Sequence, residues 1–123
     1  MKTYKLLPNL EMMQDNASIG IVSSFYRGNV ESDLKKFFDQ GWRLPTVIEA
    51  RLIGELAMLG LLKMGECRSS HGYHYGFYWT SEYRETEFYK DPLALGINEG
   101  GKSFKIREIG GFDSSYVRLV RDI

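Results

Sequence analysis

Cys67, His71 and His74 stand at a C-x3-H-x2-H spacing within CRSSHGYHYG. Thiolate and imidazole are zinc ligands, and three of them leave a fourth position open for water or substrate. That pattern would make a small metal-dependent protein or enzyme. The stretch is rich in glycine and serine, however, and no second cysteine stands near, so a solvated loop with incidental histidines is the stronger reading. A second cluster is acidic: Glu82, Glu85, Glu87 and Asp91 crowd one stretch, with Arg84 and Lys90 among them. Paired carboxylates serve acid–base catalysis, but interleaved charges of both signs more often mark an exposed surface. Ser69, Ser70 and His71 are adjacent without the elbow motif of a serine hydrolase. Glu99-Gly100-Gly101-Lys102 lacks the spacing and following helix of a phosphate loop, and reads as a turn. No enzyme activity, resident metal or cofactor is expected.

The aromatic residues carry more information. Tyr73, Tyr75, Tyr83, Tyr89, Phe112 and Tyr116 lie in or beside stretches that read as loops. Tyrosine offers a large contact area with a polar tip and few rotatable bonds, which suits a recognition surface. Half of these rings are needed to cover a small core, and the rest are available for a ligand.

Bulk composition narrows the classes. The chain has 123 residues, enough for one domain over residues 1–123, with 43% hydrophobic and 14% aromatic content. A packed core without disulfides follows. Sixteen basic residues balance sixteen acidic ones (Lys+Arg 16, Asp+Glu 16), which argues against nucleic acid as the main partner. No run of apolar residues is long enough to span a membrane. The apolar pair Leu6-Leu7 stops at Pro8, so no signal-peptide core is read. A cytoplasmic location is expected on that evidence, and an extracellular one if a leader has been removed. The single Cys67 excludes an internal disulfide.

Patterning places the elements. Tyr4–Leu7 and Ile19–Phe25 read as strands. Arg27–Gly41 reads as a first helix: Asn29 caps it, and Val30, Leu34, Phe37 and Phe38 form one apolar stripe. Thr46 to about Gly60 reads as a second helix, with Thr46 and Glu49 in capping-box spacing. Gly54 weakens that helix and points to close packing. Phe77–Ser81, Leu93–Asn98, Lys102–Ile109 and Tyr116–Arg121 read as strands, the middle pair joined by a turn at Glu99–Gly101. In the last strand Val117 and Leu119 share one face and Arg118 takes the other. Cys67–Gly76 and Gly110–Ser115 read as loops. Two helices followed by antiparallel strands make an α+β domain.

Between the helices stands GWRLPT, Gly41 to Thr46. Gly41 ends one helix and Thr46 caps the next. Pro45 holds Leu44 extended, so Trp42 and Leu44 point inward while Arg43 turns away, towards a carboxylate or an aromatic face.

GWRLPT, then YWTS (Tyr78–Ser81), then VRLVR (Val117–Arg121), in that order and spacing, resembles a bacterial domain family named for the C-terminal part of a collagen-like adhesin. The resemblance runs from about Asn29 to Arg121. It implies a C-type-lectin-like fold, related to the formylglycine-generating-enzyme type. Two helices would flank a small twisted antiparallel sheet, with paired N- and C-terminal strands: Tyr4–Leu7 beside Val117–Arg121. It implies a non-catalytic binding or display module whose ligand is a protein or a glycan. The chain lacks the Glu-Pro-Asn, Gln-Pro-Asp and Trp-Asn-Asp sequences with which such lectins hold calcium, so recognition is expected to be calcium-independent. In that fold the loops after the YWTS strand gather on one face. The expected ligand-binding residues are then Tyr83, Arg84, Glu87 and Tyr89, Phe112 and Asp113, with Tyr73 and His74 at the edge. A structural role in a phage or cell-surface assembly is a further reading, for which an oligomer is expected.

Overall fold

The computed structural model describes residues 2–64, 75–98, 103–110 and 113–123. Strand accounts for 42% of these and helix for 22%, in three small sheets. The expectation of two helices flanking one sheet is therefore corrected. Two strands, Leu10–Met13 and Ser114–Ser115, lie where none was expected, and one predicted helix is in pieces.

The chain opens with a hairpin. β1 (Thr3–Leu7) turns at Pro8-Asn9 into β2 (Leu10–Met13), and β2 also pairs with β8 (Val120–Asp122), giving the order β1-β2-β8. The C-terminal strand thus lies beside β2, and not beside Tyr4–Leu7. LEMM was not anticipated as a strand because Met12 and Met13 are buried together, 0% and 4% exposed, which hides the alternation. β3 (Phe25–Tyr26) pairs with β7 (Ser114–Ser115), within the predicted loop Gly110–Ser115. The predicted strand Ile19–Phe25 survives only at Phe25. Upstream, Gly20 at φ +57° turns the chain so that Ile19 and Val22 exchange two backbone hydrogen bonds and Ile21 stands wholly exposed.

The predicted helix Arg27–Gly41 is a 3-10 turn at Arg27–Asn29, then α1 (Val30–Asp33) and α2 (Lys35–Phe38), each a single turn. The break is at Leu34, whose φ −108°, ψ 20° are not helical. Val30 and Leu34 are both 0% exposed. Burial of these two against the core fixes the segment, and helix propensity is too weak to hold the turns in register against it. The Asn29 side chain makes no capping bond.

α3 (Val47–Met58) follows the prediction closely. Thr46 Oγ1 accepts from the Glu49 amide at 3.2 Å, and the Glu49 carboxylate accepts from the Thr46 amide at 2.9 Å. α3 covers one face of the main sheet, β4 (Tyr75–Glu85), β5 (Lys90–Asn98) and β6 (Phe104–Glu108), in the order β4-β5-β6. The predicted turn at Glu99–Gly101 lies outside the described residues.

Strand alternation divides the core in two. Tyr78, Leu95 and Ile97 face α3, where they meet Ala50, Ile53, Leu10, Met12 and Val120. Trp79 and Ala94 face the opposite way and meet Phe25, Val30, Leu34, Trp42, Leu44, Val117 and Leu119. The adjacent Tyr and Trp of YWTS therefore serve two different cores. Trp79 is 0% exposed, and its indole N–H donates to the Phe25 carbonyl at 2.7 Å.

GWRLPT performs as read. Gly41 is at φ +92°, and Trp42 and Leu44 are buried. The backbone of Arg43 makes two 2.8 Å hydrogen bonds with Val120, which ties the segment to β8. The Arg43 guanidinium is bidentate to Glu49, at 2.6 and 2.7 Å, and reaches Asp122 at 3.1 Å. Hydrogen bonding from Arg43 holds the Glu49 carboxyl below its ordinary pKa of 4.5, and raises Arg43 in return. A carboxylate with a depressed native pKa stabilises the fold above its unfolded value and loses that contribution as pH falls through the native one. Melting temperature should accordingly drop as the pH is lowered below about 4.5, and Glu49→Gln should flatten that slope. An unchanged acid limb in the variant would show that the ion pair adds nothing to stability.

Candidate binding surface

The stretch Tyr83–Lys90, expected as a loop, is the outer half of the β4–β5 hairpin. Between Trp79, opposite Ala94, and Tyr83, opposite Pro92, the register shifts by a bulge. Thr80 Oγ1 donates to the Leu93 carbonyl at 2.8 Å and accepts from the Glu82 amide at 3.2 Å. The Ser81 amide donates to the Pro45 carbonyl at 2.9 Å. The Glu82 carboxylate accepts from the Val47 amide at the start of α3. These bonds fix the bulge against the GWRLPT segment, and beyond it the two strands resume pairing as Tyr83–Pro92, Arg84–Asp91 and Glu85–Lys90. A bulge re-aims the strand that carries it.

The charges that suggested a solvated loop are used to hold this extension. Lys90 pairs with Glu85 at 3.3 Å, and Arg84 pairs with Glu108 on β6. At the tip the Thr86 amide donates to the Tyr89 carbonyl at 2.8 Å, and Thr86 Oγ1 accepts from the amides of Phe88 and Tyr89. The turn is ordered by its own backbone. Its aromatics nevertheless face solvent: Phe88 is 88% exposed and Tyr89 is 56% exposed. Ordered backbone and uncovered rings together are what a recognition tip needs, because little entropy is lost when a ligand covers it.

Tyr83 has a different role. Its ring lies 5.1 Å from the Arg27 guanidinium and 4.5 Å from the Lys90 ammonium, and it is half-buried. Cation–π contact of this kind clamps the hairpin to the turn before α1. Arg27 is itself buried and paired with Glu31 at 2.6 Å. Glu87 is exposed at the tip. Asp113 is exposed before β7, where its amide closes a turn on the Gly110 carbonyl at 3.0 Å. The structure thus gathers Tyr83, Arg84, Glu87 and Tyr89 on one hairpin, and among the described residues joins Asp113 to it by no hydrogen bond or ion pair. Tyr73, His74 and Phe112, and with them Cys67 and His71, lie outside the described residues.

Sequence reasoning did not single out Phe88 or Arg27. The legible signal for Phe88 was an isolated large apolar residue between Glu87 and Tyr89, in a stretch without core periodicity. Arg27 had none, because it was assigned to the start of a helix. Arg118 was placed on the outward face of its strand, yet it is 4% exposed. Its Nε donates to Asn16 Oδ1 at 2.7 Å, and its Nη1 donates to the Met13 and Lys63 carbonyls at 3.5 and 3.4 Å. Burial lowers its pKa, although an arginine stays charged at such sites. The strand β8 begins only at Val120, and the preceding residues Val117–Leu119 are all buried.

Compared with models of protein families, with curated proteins and with solved structures, the chain matches none. Among the described residues no helix is long and apolar enough to cross a membrane.

Proposed function

We propose that this chain is a non-catalytic recognition module that contacts a protein or glycan ligand, without calcium, through the tip of the β4–β5 hairpin. One observation carries the reading: Phe88 and Tyr89 stand exposed on a turn whose backbone is internally hydrogen-bonded. An aromatic pair of this exposure costs solubility unless something covers it. The three-motif resemblance to the bacterial adhesin-derived domain family supports a binding or display role. The charged residues beside the tip are engaged in cross-strand pairs, which favours an architectural use over acid–base chemistry.

Phe88→Ala with Tyr89→Ala tests the assignment. Both rings are exposed, so the melting temperature should stay within about 2 °C of the parent. Binding to a glycan array and capture of proteins from extract should both fall at least tenfold if the tip is the contact. Full retention of every interaction in the folded double variant would remove the hairpin from the site.

A further inference from the structure

α3 buries one side against the main sheet through Ala50, Ile53, Gly54 and Ala57. Residues three and four apart share a side of a helix. Ile48, Leu52, Glu55 and Leu59, the last at the C-cap, therefore form the row turned away from the sheet. Ile48 is 80% exposed and Leu59 70%. Leu52 is only partly covered. Large apolar side chains thus stand in solvent at both ends of the outer face. Between those ends lie Arg51 and Glu55, both exposed. Among the described residues neither side chain makes a hydrogen bond or an ion pair. The same order and spacing pairs Arg27 with Glu31 at 2.6 Å, whereas here both charges are left to solvent.

We infer that two copies of this chain associate through this face, their α3 helices antiparallel across a two-fold axis level with Ile53 and Gly54. The surface is distinct from the hairpin tip, and the inference does not rest on the tip. In a two-fold interface residue i meets residue j and j meets i. At this register Ile48 lies against Leu59 of the second copy, and Leu52 lies against its Leu56. Arg51 lies against Glu55 of the second copy, and Glu55 against its Arg51, so both unpaired charges find their opposites. A parallel arrangement would set Arg51 against Arg51 and Glu55 against Glu55, and repulsion between like charges disfavours it. The face is therefore self-complementary in its apolar ends and in its charges, which selects a second copy as the occupant. Association also covers the apolar ends, which otherwise cost solubility. One helix pair makes a small interface, so the dimer is weak, with a Kd of about 10–100 μM.

Sedimentation equilibrium of the full chain, up to about 1 mM, reads the association and should show a monomer–dimer equilibrium. Arg51→Glu alone sets carboxylate against carboxylate, and Glu55→Arg alone sets guanidinium against guanidinium. Each should weaken the dimer at least about tenfold. An equimolar mixture of the two variants brings opposite charges together again, and should form heterodimers about as tight as the parent dimer. Leu59→Ser should also weaken association about tenfold or more, because the change enters each dimer twice. All three positions are exposed, so the melting temperature of dilute protein should stay within about 3 °C of the parent. Should a single charge variant fail to fold, the double exchange Arg51→Glu with Glu55→Arg decides: it should dimerise like the parent. A chain that stays monomeric to about 1 mM would overturn the inference. So would a trimer or larger species, since a two-fold interface closes at two. A dimer indifferent to Leu59→Ser and to both charge variants would lie on another face and overturn it equally. Failure of the mixed charge variants to associate, where the parent dimerises, would overturn the antiparallel pairing.

Discussion

Trp79→Ala should destabilise the domain by about 3–5 kcal/mol, the largest loss expected of any single replacement. The indole is wholly buried where β4 meets the second core, among Phe25, Val30, Trp42 and Val117. Three effects add. Apolar area is returned to water, a cavity is left in a packed interior, and the Phe25 carbonyl loses its donor at 2.7 Å. Trp79→Phe separates them, because it keeps most of the ring and discards the N–H; its cost should be about 1–3 kcal/mol. Urea unfolding followed by the fluorescence of Trp42, the second of the chain's two tryptophans, measures both. Marginal domains hold only about 5–15 kcal/mol in all, so the alanine variant should be partly unfolded under mild conditions. A loss below about 1.5 kcal/mol would mean that the indole is not packed into the second core as described.

Gly54→Val should cost about 3 kcal/mol, even though glycine is a poor helix former. A Cβ at position 54 would lie 2.5 Å from Cγ of Phe104 and 2.6 Å from its Cδ2, well inside contact distance. The gain in helix propensity on leaving glycine is below about 1 kcal/mol, and smaller still for a β-branched residue. Overpacking costs about 1–3 kcal/mol or more, because the atoms met are the root of a ring held between α3 and β6. The clash therefore wins. Gly54→Ala should also lose stability, by less. Adding Phe104→Leu should recover part of the loss in either background, since the two sites share one contact. Simple additivity in that cycle would place the cause elsewhere than Phe104.

Much of the frame was legible in the residues. Thr46 and Glu49 defined the start of α3, because a capping box depends on atoms three residues apart. Gly41, Trp42, Leu44 and Pro45 defined the link before it for the same local reason. Gly54 announced close approach by lacking a side chain. Phe77–Ser81 and Leu93–Asn98 were recognisable from β-branched and aromatic content, though both strands run longer. Arg43 was expected to turn towards a carboxylate or an aromatic face, and the structure gives it two carboxylates, Glu49 and Asp122, the second of which is 79 residues away.

What local patterning missed has one physical source, burial decided by distant neighbours. Val30 and Leu34 looked like a helical stripe, and the core they enter breaks the helix between its turns. Arg118 looked outward by alternation, and the segments carrying Met13, Asn16 and Lys63 close over it. Tyr83–Lys90 looked like a loop by charge, and cross-strand ion pairs and the bulge at Thr80 make it a hairpin. The chain by itself determined caps, turns and strand formers, whose energies lie within a few residues. Tertiary structure alone decided which strands share a sheet, that β2 rather than β1 meets the C-terminus, which rings are spent in the core, and which two remain at the tip. Those outcomes depend on contacts whose entropy of closure no local propensity records.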